Sequence, residues 1–323
     1  MKIFKTRLLA IFFLSVFSGI GFAQDDTIRV ETNLVTINIA VTDKSGNYVK
    51  GLKSEDFEIL DNRRKQAIGN FSAEESPVSF GIVYDLHPTT DERTTMVLAT
   101  LKQFTQDLKP KDNFFVTVFN ERGSLTTDFV PTSDQINTNL TDLKPSTPNS
   151  LYDAIFAASD KVHERKNTKQ VLIVLTDGED NRSHHSLKEL RTHLRSINLP
   201  VYSISFSNEN QRLFSYNDLY RNQGRQTLGA FESSQLNTAA LAEISKSSGG
   251  QTFERAVQNR YLLYGIFKKV AAEVENQYVI GFYPETKDGK WHKLKVSVKN
   301  TGGKNYTISS RKGYLSLKTA NKK

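Results

Sequence analysis

Two stretches of this chain are apolar almost without interruption. One runs from Val78 through Phe80, Ile82 and Val83 to Tyr84, and the other is Val171–Leu175. Each stops on an aspartate within two residues, Asp85 and Asp177. Runs of this kind predict central strands covered on both faces, as in a parallel sheet. Around them strand and helix patterns alternate. A helix is expected from Asp91 to about Leu108, a strand over Asp112–Asn120, a short edge at LTTDFV, and helices over Ser133–Leu143 and Ser150–Arg165. The strand Gln170–Asp177, a helix Ser186–Asn198 and a strand Val201–Ser207 follow. A polar stretch, Asn208–Ser234, has no firm period and reads as an inserted loop. A helix Thr238–Ser248 closed by Gly249-Gly250, the strand QTFER and a helix Asn259–Gln277 complete the pattern. Such alternation predicts a doubly wound α/β sheet.

The two ends read differently. From Thr27 to Ala73, VTINIAVTD alternates apolar and polar, and NYVKGL, FEILDN and QAIGNFSA follow as short extended pieces. From Tyr278 onward, YVIGFY, WHKLKVSV and YTISSRKGYL form strands separated by the turns Asp288-Gly289 and Gly302-Gly303. Neither end is a comfortable β domain by itself. The expected organisation is therefore a β segment over 24–74, an α/β domain over 75–277 inserted behind it, and a β segment over 278–323 that pairs with the first in a small β-sandwich.

The first residues carry a different signal. Lys2, Lys5 and Arg7 precede the apolar run Leu8–Ile20, and Gly21-Phe22-Ala23 supplies small residues beside a cleavage point. Residues 1–23 thus read as a secretory signal peptide, the run being shorter than the roughly 18–20 residues that span a bilayer. No membrane span is expected after cleavage. Export to a bacterial periplasm or the cell exterior follows, because an exported chain with no cysteine fits that route better than a eukaryotic secretory one. The lack of cysteine also excludes disulfides, thiolate metal sites and a cysteine nucleophile. The formal charge of +8 falls to +5 when Lys2, Lys5 and Arg7 leave with the signal. The remaining cations are scattered without aromatic interleaving, so nucleic acid is not an expected partner.

Candidate chemistry gathers at the carboxyl ends of the two apolar strands. Open α/β sheets bind ligands at that edge, where loops converge and helix N-termini present free N–H groups. Asp85 ends the first strand, and Asp177 opens Asp177-Gly178-Glu179-Asp180-Asn181 after the second. Ser146-Thr147-Pro148-Asn149-Ser150 precedes the helix LYDAIFAA. Carboxylates, an amide and hydroxyls meeting there would make a hard-oxygen site suited to Mg²⁺, Ca²⁺ or Mn²⁺. The competing reading makes both aspartates helix caps or turn formers.

These loops resemble those of the von Willebrand factor type A (VWA) domain and its metal-ion-dependent adhesion site. The pieces DFEI at Asp56, LYDAI, DGEDN, SGGQTF and the closing YVIGFYP, WHKLKV and RKGY are similar to a bacterial, acidobacterial-type subfamily of VWA-related domains. The resemblance implies metal ligands at Asp85, Thr89, Asn149 and Asp177, with His87 and Thr147 as further candidates. It also implies weakly held Mg²⁺ or Mn²⁺ as cofactor, since the family's first motif, Asp-x-Ser-x-Ser, is here Asp85-Leu86-His87-Pro88-Thr89. His87 stands where a serine oxygen is expected, and Asn149 where threonine is usual.

Enzyme signatures such as G-x-S-x-G, H-E-x-x-H, a Walker A loop or a dinucleotide fingerprint do not occur. Ser183-His184-His185 beside Asp180 reads as a solvated loop rather than a hydrolytic triad, which is recognised by geometry. His163 and His193 are expected at the surface, and Trp291 within the terminal sandwich. The expected function is non-enzymatic: an exported, adhesion-type protein that recognises a protein partner at the Asp85/Asp177 edge. The alternative is a structural or assembly scaffold whose domain has lost its metal. A third reading, a hydrolase with a transition metal held by His87 and the two aspartates, would favour Zn²⁺ or Fe.

Overall fold

The computed structural model describes residues 34–73, 75–86, 91–120, 123–126, 150–164, 167–206, 237–254, 259–299 and 305–318. The chain forms two units, Met1–Thr32 and Asn33–Lys323, and all the described residues belong to the second. The signal-peptide reading, the helix expected over Ser133–Leu143 and the 208–234 stretch lie outside the described residues.

The strands, in chain order, are β1 (Val35–Thr42), β2 (Phe57–Asp61), β3 (Arg64–Gln66), β4 (Asn70–Ser72), β5 (Val78–Asp85), β6 (Asn113–Asn120), β7 (Gly123–Thr126), β8 (Lys169–Thr176) and β9 (Val201–Ser205). They continue with β10 (Thr252–Phe253), β11 (Tyr278–Phe282), β12 (Trp291–Val298), β13 (Thr307–Ser309) and β14 (Gly313–Leu315). The helices are α1 (Asp91–Gln106), α2 (Leu151–His163), α3 (Leu187–Ser196), α4 (237–248) and α5 (Arg260–Glu275).

The middle of the chain builds a six-stranded sheet in the order β10-β9-β8-β5-β6-β7. The pairs from β10 through β6 are parallel, and β7 closes the edge antiparallel. All residues of β5 and β8 are buried, so their continuous apolar runs reflect helices on both faces. Phe80, Ile82 and Tyr84 point into one core with α1 and α5. Val83 points into the other, with Leu151, Ile155 and Val162 of α2. Gly81 permits that closeness: a Cβ there would lie 2.5 Å from Val162 and 2.7 Å from Leu172. At the opposite end of the sheet the buried Lys169 donates through Nζ to the carbonyl of Glu275 at 2.6 Å. An amine among the last carbonyls of α5 satisfies an orphan acceptor and favours the negative end of the helix dipole.

The two ends of the chain meet, as their patterns imply. β11 lies between β1 and β4 in one antiparallel sheet, and β12 lies between β2 and β14 in another. Val35, Ile37, Ile39, Phe57, Ile59, Ile280, Phe282 and Leu294 share a single core between these sheets. Two details differ from expectation. NYVKGL contributes a bridge at Tyr48 rather than a strand, because Gly51 takes a positive φ of 80° that turns the chain away. Trp291 is on the outer side of its sheet, under the guanidinium of Arg195 at 4.7 Å. Strand alternation places His292 inward instead. There its Nδ1 meets Asp61 at 2.8 Å, its Nε2 meets Asp288 at 3.1 Å, and the Tyr314 hydroxyl donates to Asp61 at 2.8 Å. This polar group within an apolar core is tolerable because its members satisfy one another.

Candidate functional site

β5 and β8 are immediate neighbours, with Tyr84 opposite Leu175. Asp85 and Thr176 therefore emerge side by side at the carboxyl edge of the sheet. Asp85 is 1% exposed, and its Oδ2 accepts the Thr176 hydroxyl at 2.7 Å. Burial, reinforced by the charges of Asp177 and then Glu179, pushes its pKa up to about 8, since a desolvated carboxylate beside like charges resists ionisation. Thr176 and, more weakly, Arg93 of α1 act in the opposite direction.

The loop after β8 is shaped by its own hydrogen bonds. Thr176 Oγ1 also accepts the Gly178 N–H at 3.0 Å, and Asp177 Oδ1 accepts the Glu179 N–H at 2.9 Å. The second contact is an Asx turn, the usual local use of an aspartate at a bend. Gly178 has φ of +87°, and an added Cβ would meet the Asn237 carbonyl oxygen at 3.0 Å. The bend thus depends on glycine both for backbone freedom and for room beside α4.

Beyond the bend the loop is tied to the start of α2. The first-turn N–H groups of Tyr152 and Asp153 donate to Asp180 Oδ1 at 3.2 Å and Ser183 Oγ at 3.1 Å, and Ser183 donates to Asp180 at 2.6 Å. In return, Asp153 accepts the backbone N–H groups of His184 and His185 at 2.9 and 3.0 Å. Their Nδ1 atoms meet the same carboxylate at 2.9 and 2.7 Å. Partial burial raises the Asp153 pKa, but these four contacts outweigh it and hold the carboxylate well below its usual range. Ser183 is therefore engaged with Asp180 and a helix N-terminus, and the two histidines with Asp153. The arrangement is a reciprocal loop-to-helix clamp and lacks the nucleophile–base contact of a hydrolase.

Sequence reasoning missed this clamp, although its signal was an acidic loop six to nine residues before the helix-capping Ser186. It also misplaced His193. That ring is half-buried, stacks on Phe156 at 3.9 Å, and contacts Ser159 at 3.0 Å and Asp160 at 3.1 Å. His185 stacks on Phe156 as well, at 4.2 Å. His163 is exposed, as expected.

Of the sequence-derived metal candidates, Asp85 and Asp177 are brought to one edge. His87, Thr89, Thr147 and Asn149 lie outside the described residues. Among the described residues no group of three or more His, Cys, Asp or Glu side chains converges as a metal cage. The donors present are oxygens, and a buried carboxylate destabilised by its acidic neighbours is a group that a hard cation would relieve. Carboxylate oxygens are the donor type that Mg²⁺ and Mn²⁺ take.

A largely parallel sheet with helices on both faces, carrying Asp85 and Asp177 at its carboxyl edge, defines a doubly wound α/β domain. The family model for the von Willebrand factor type A domain matches residues 88–253, just over half of the chain, and the chain belongs to this family. A search of curated proteins gives no match. Among solved structures, a von Willebrand factor type A protein from Catenulispora acidiphila is 12% identical over 81% of this chain and 74% of its own, with a TM-score of 0.46. BatB from Bacteroides thetaiotaomicron is 15% identical over 61% of this chain and 98% of its own, at a TM-score of 0.41. The vWF domain of the type V pili tip protein Mfa5 from Porphyromonas gingivalis is 8% identical over 62% and 97%, at 0.42. The family assignment rests on the sequence model rather than on these distant likenesses.

Proposed function

We propose that this chain is an exported, non-enzymatic recognition protein whose VWA domain engages a protein partner at the Asp85/Asp177 edge. VWA domains mediate protein interactions, and no described helix is long and apolar enough to cross a membrane. The observation that carries the reading is the ending of two adjacent, fully buried strands on Asp85 and Thr176-Asp177. In this reading Asp85 and Asp177 would hold a divalent cation, with Thr89 and Asn149 as further oxygen donors. His87 or Thr147 is the alternative donor in the altered loops. The cation would serve as a Lewis-acid bridge to a carboxylate of the partner. The chain's own residues orient the acceptors: Thr176 fixes the Asp85 rotamer, and the clamp between Asp180, Ser183 and Asp153 steadies the loop that carries Asp177.

A second reading has its own support. Thr176 already bonds Asp85, and Asp177 already closes an Asx turn, so both aspartates have structural work in a scaffold without metal. Calorimetric titration of Mg²⁺ and Mn²⁺ into the native protein, Asp85→Asn and His87→Ser separates the two. Recognition through the metal predicts weak binding by the native protein, at least a tenfold loss in Asp85→Asn, and strengthening in His87→Ser as an oxygen donor is restored. The same heat in native protein and Asp85→Asn would leave the scaffold reading standing.

A further inference from the structure

The sheet β14-β12-β2-β3 presents an outward face that the VWA reading does not use. On β12 the inward His292 and Leu294 are buried while Lys293 and Lys295 between and beyond them are exposed. Lys295 lies opposite Leu60 of β2, and Leu60 lies opposite Lys65 of β3. A cross-strand row of lysine, leucine, lysine results, with the cations on the order of 10 Å apart and Lys293 about 7 Å further along its strand. Arg63 joins them from the turn between β2 and β3. Glu58 pairs with Lys65 at 3.5 Å, leaving the face clearly positive.

The turn joining β2 and β3 adds a second, independent observation. Asn62 and Arg63 have φ of 46° and 71°, the left-handed pair of a two-residue hairpin in which Asn-Gly is the favoured sequence. Asn62 fits: its side-chain Oδ1 accepts the Lys293 N–H at 3.0 Å, and its backbone N–H donates to the Lys293 carbonyl at 2.9 Å. Arginine at the second position has no such local reason and carries a conformational cost that glycine would avoid. What it adds is a guanidinium beside Lys293 and Lys295, lining with Leu60 a shallow depression of about 330 Å³.

We propose that this face docks the protein on an anionic lipid bilayer. A flat array of long cationic side chains around one leucine matches a planar field of negative headgroups, because lysine stems lie along apolar surface while their amines reach outward. The proposal stands apart from the Asp85 site, which lies on a different sheet. It is tested by cosedimenting the full chain with phosphatidylcholine vesicles with and without phosphatidylglycerol. Each cation near such a surface is worth roughly a fivefold change in binding. Lys293→Glu/Lys295→Glu should therefore lose at least roughly 25-fold in binding to the anionic vesicles. The exposed control pair Lys111→Glu/Lys246→Glu, which changes net charge equally, should stay close to the native protein. The proposal is overturned if the Lys293/Lys295 reversal binds as the native chain does, or if the control pair loses as much. It is also overturned in favour of an acidic protein partner if soluble polyglutamate competes fully at equal charge concentration.

Discussion

Single residues divide here into those whose role is visible in their neighbours along the chain and those whose partners arrive by folding. Asp85 and Asp177 were legible because each ends an apolar run. That Thr176 would bond Asp85 depended on strand order, which a single sequence does not record. Asp153 is the stronger example: inside LYDAI it reads as an ordinary first-turn acid, yet it accepts four contacts from His184 and His185. Its depressed pKa has a definite sign in the stability balance. The stabilisation is fully present above the ordinary carboxylate range, about pH 4, and is lost as pH falls toward the lower folded-state value. Asp153→Asn should thus cost about 1–2 kcal/mol near neutral pH, the scale of lost hydrogen bonds to a charged acceptor. The gap from the native protein should narrow in urea melts performed below about pH 4. A gap independent of pH would show that the clamp does not rely on the carboxylate's charge.

At the level of elements, β5, β8 and the alternating helices were readable because burial on both faces forces nearly continuous apolar sequence. β12 was readable as a strand, but which of its faces turns inward was not. Trp291 suggested a core residue, whereas register with β2 makes His292 the inward one, satisfied by Asp61, Asp288 and Tyr314. The terminal strands also decide how the chain divides. Both antiparallel sheets need strands from each end, while all strands of the parallel sheet fall between Val78 and Phe253. We therefore expect Glu75–Gln277 expressed alone to give a soluble, cooperatively folding domain, and Thr27–Ala73 or Tyr278–Leu317 alone to remain unfolded by circular dichroism. Independent folding of either end would contradict a shared sandwich.

For the molecule as a whole, the β-rich ends and the α/β domain are joined by polar contacts that a recognition domain can use as a fixed mount. Ser309 donates to Glu273 of α5 at 2.9 Å, and Asn198 donates to Asn38 of β1 at 3.3 Å. On that mount the sheet edge at Asp85 faces away from the chain's β-rich ends, because Gln277, Val78 and Lys169 mark the opposite end of the parallel strands. We propose that this edge holds a cation through Asp85 and Asp177. It is tested most directly by following free Mn²⁺ by electron paramagnetic resonance as it is added to the native protein, Asp85→Asn and Asp177→Asn. One weakly bound ion per native chain and at least a tenfold weaker uptake in each variant are expected. Three superimposable titrations would contradict the proposal.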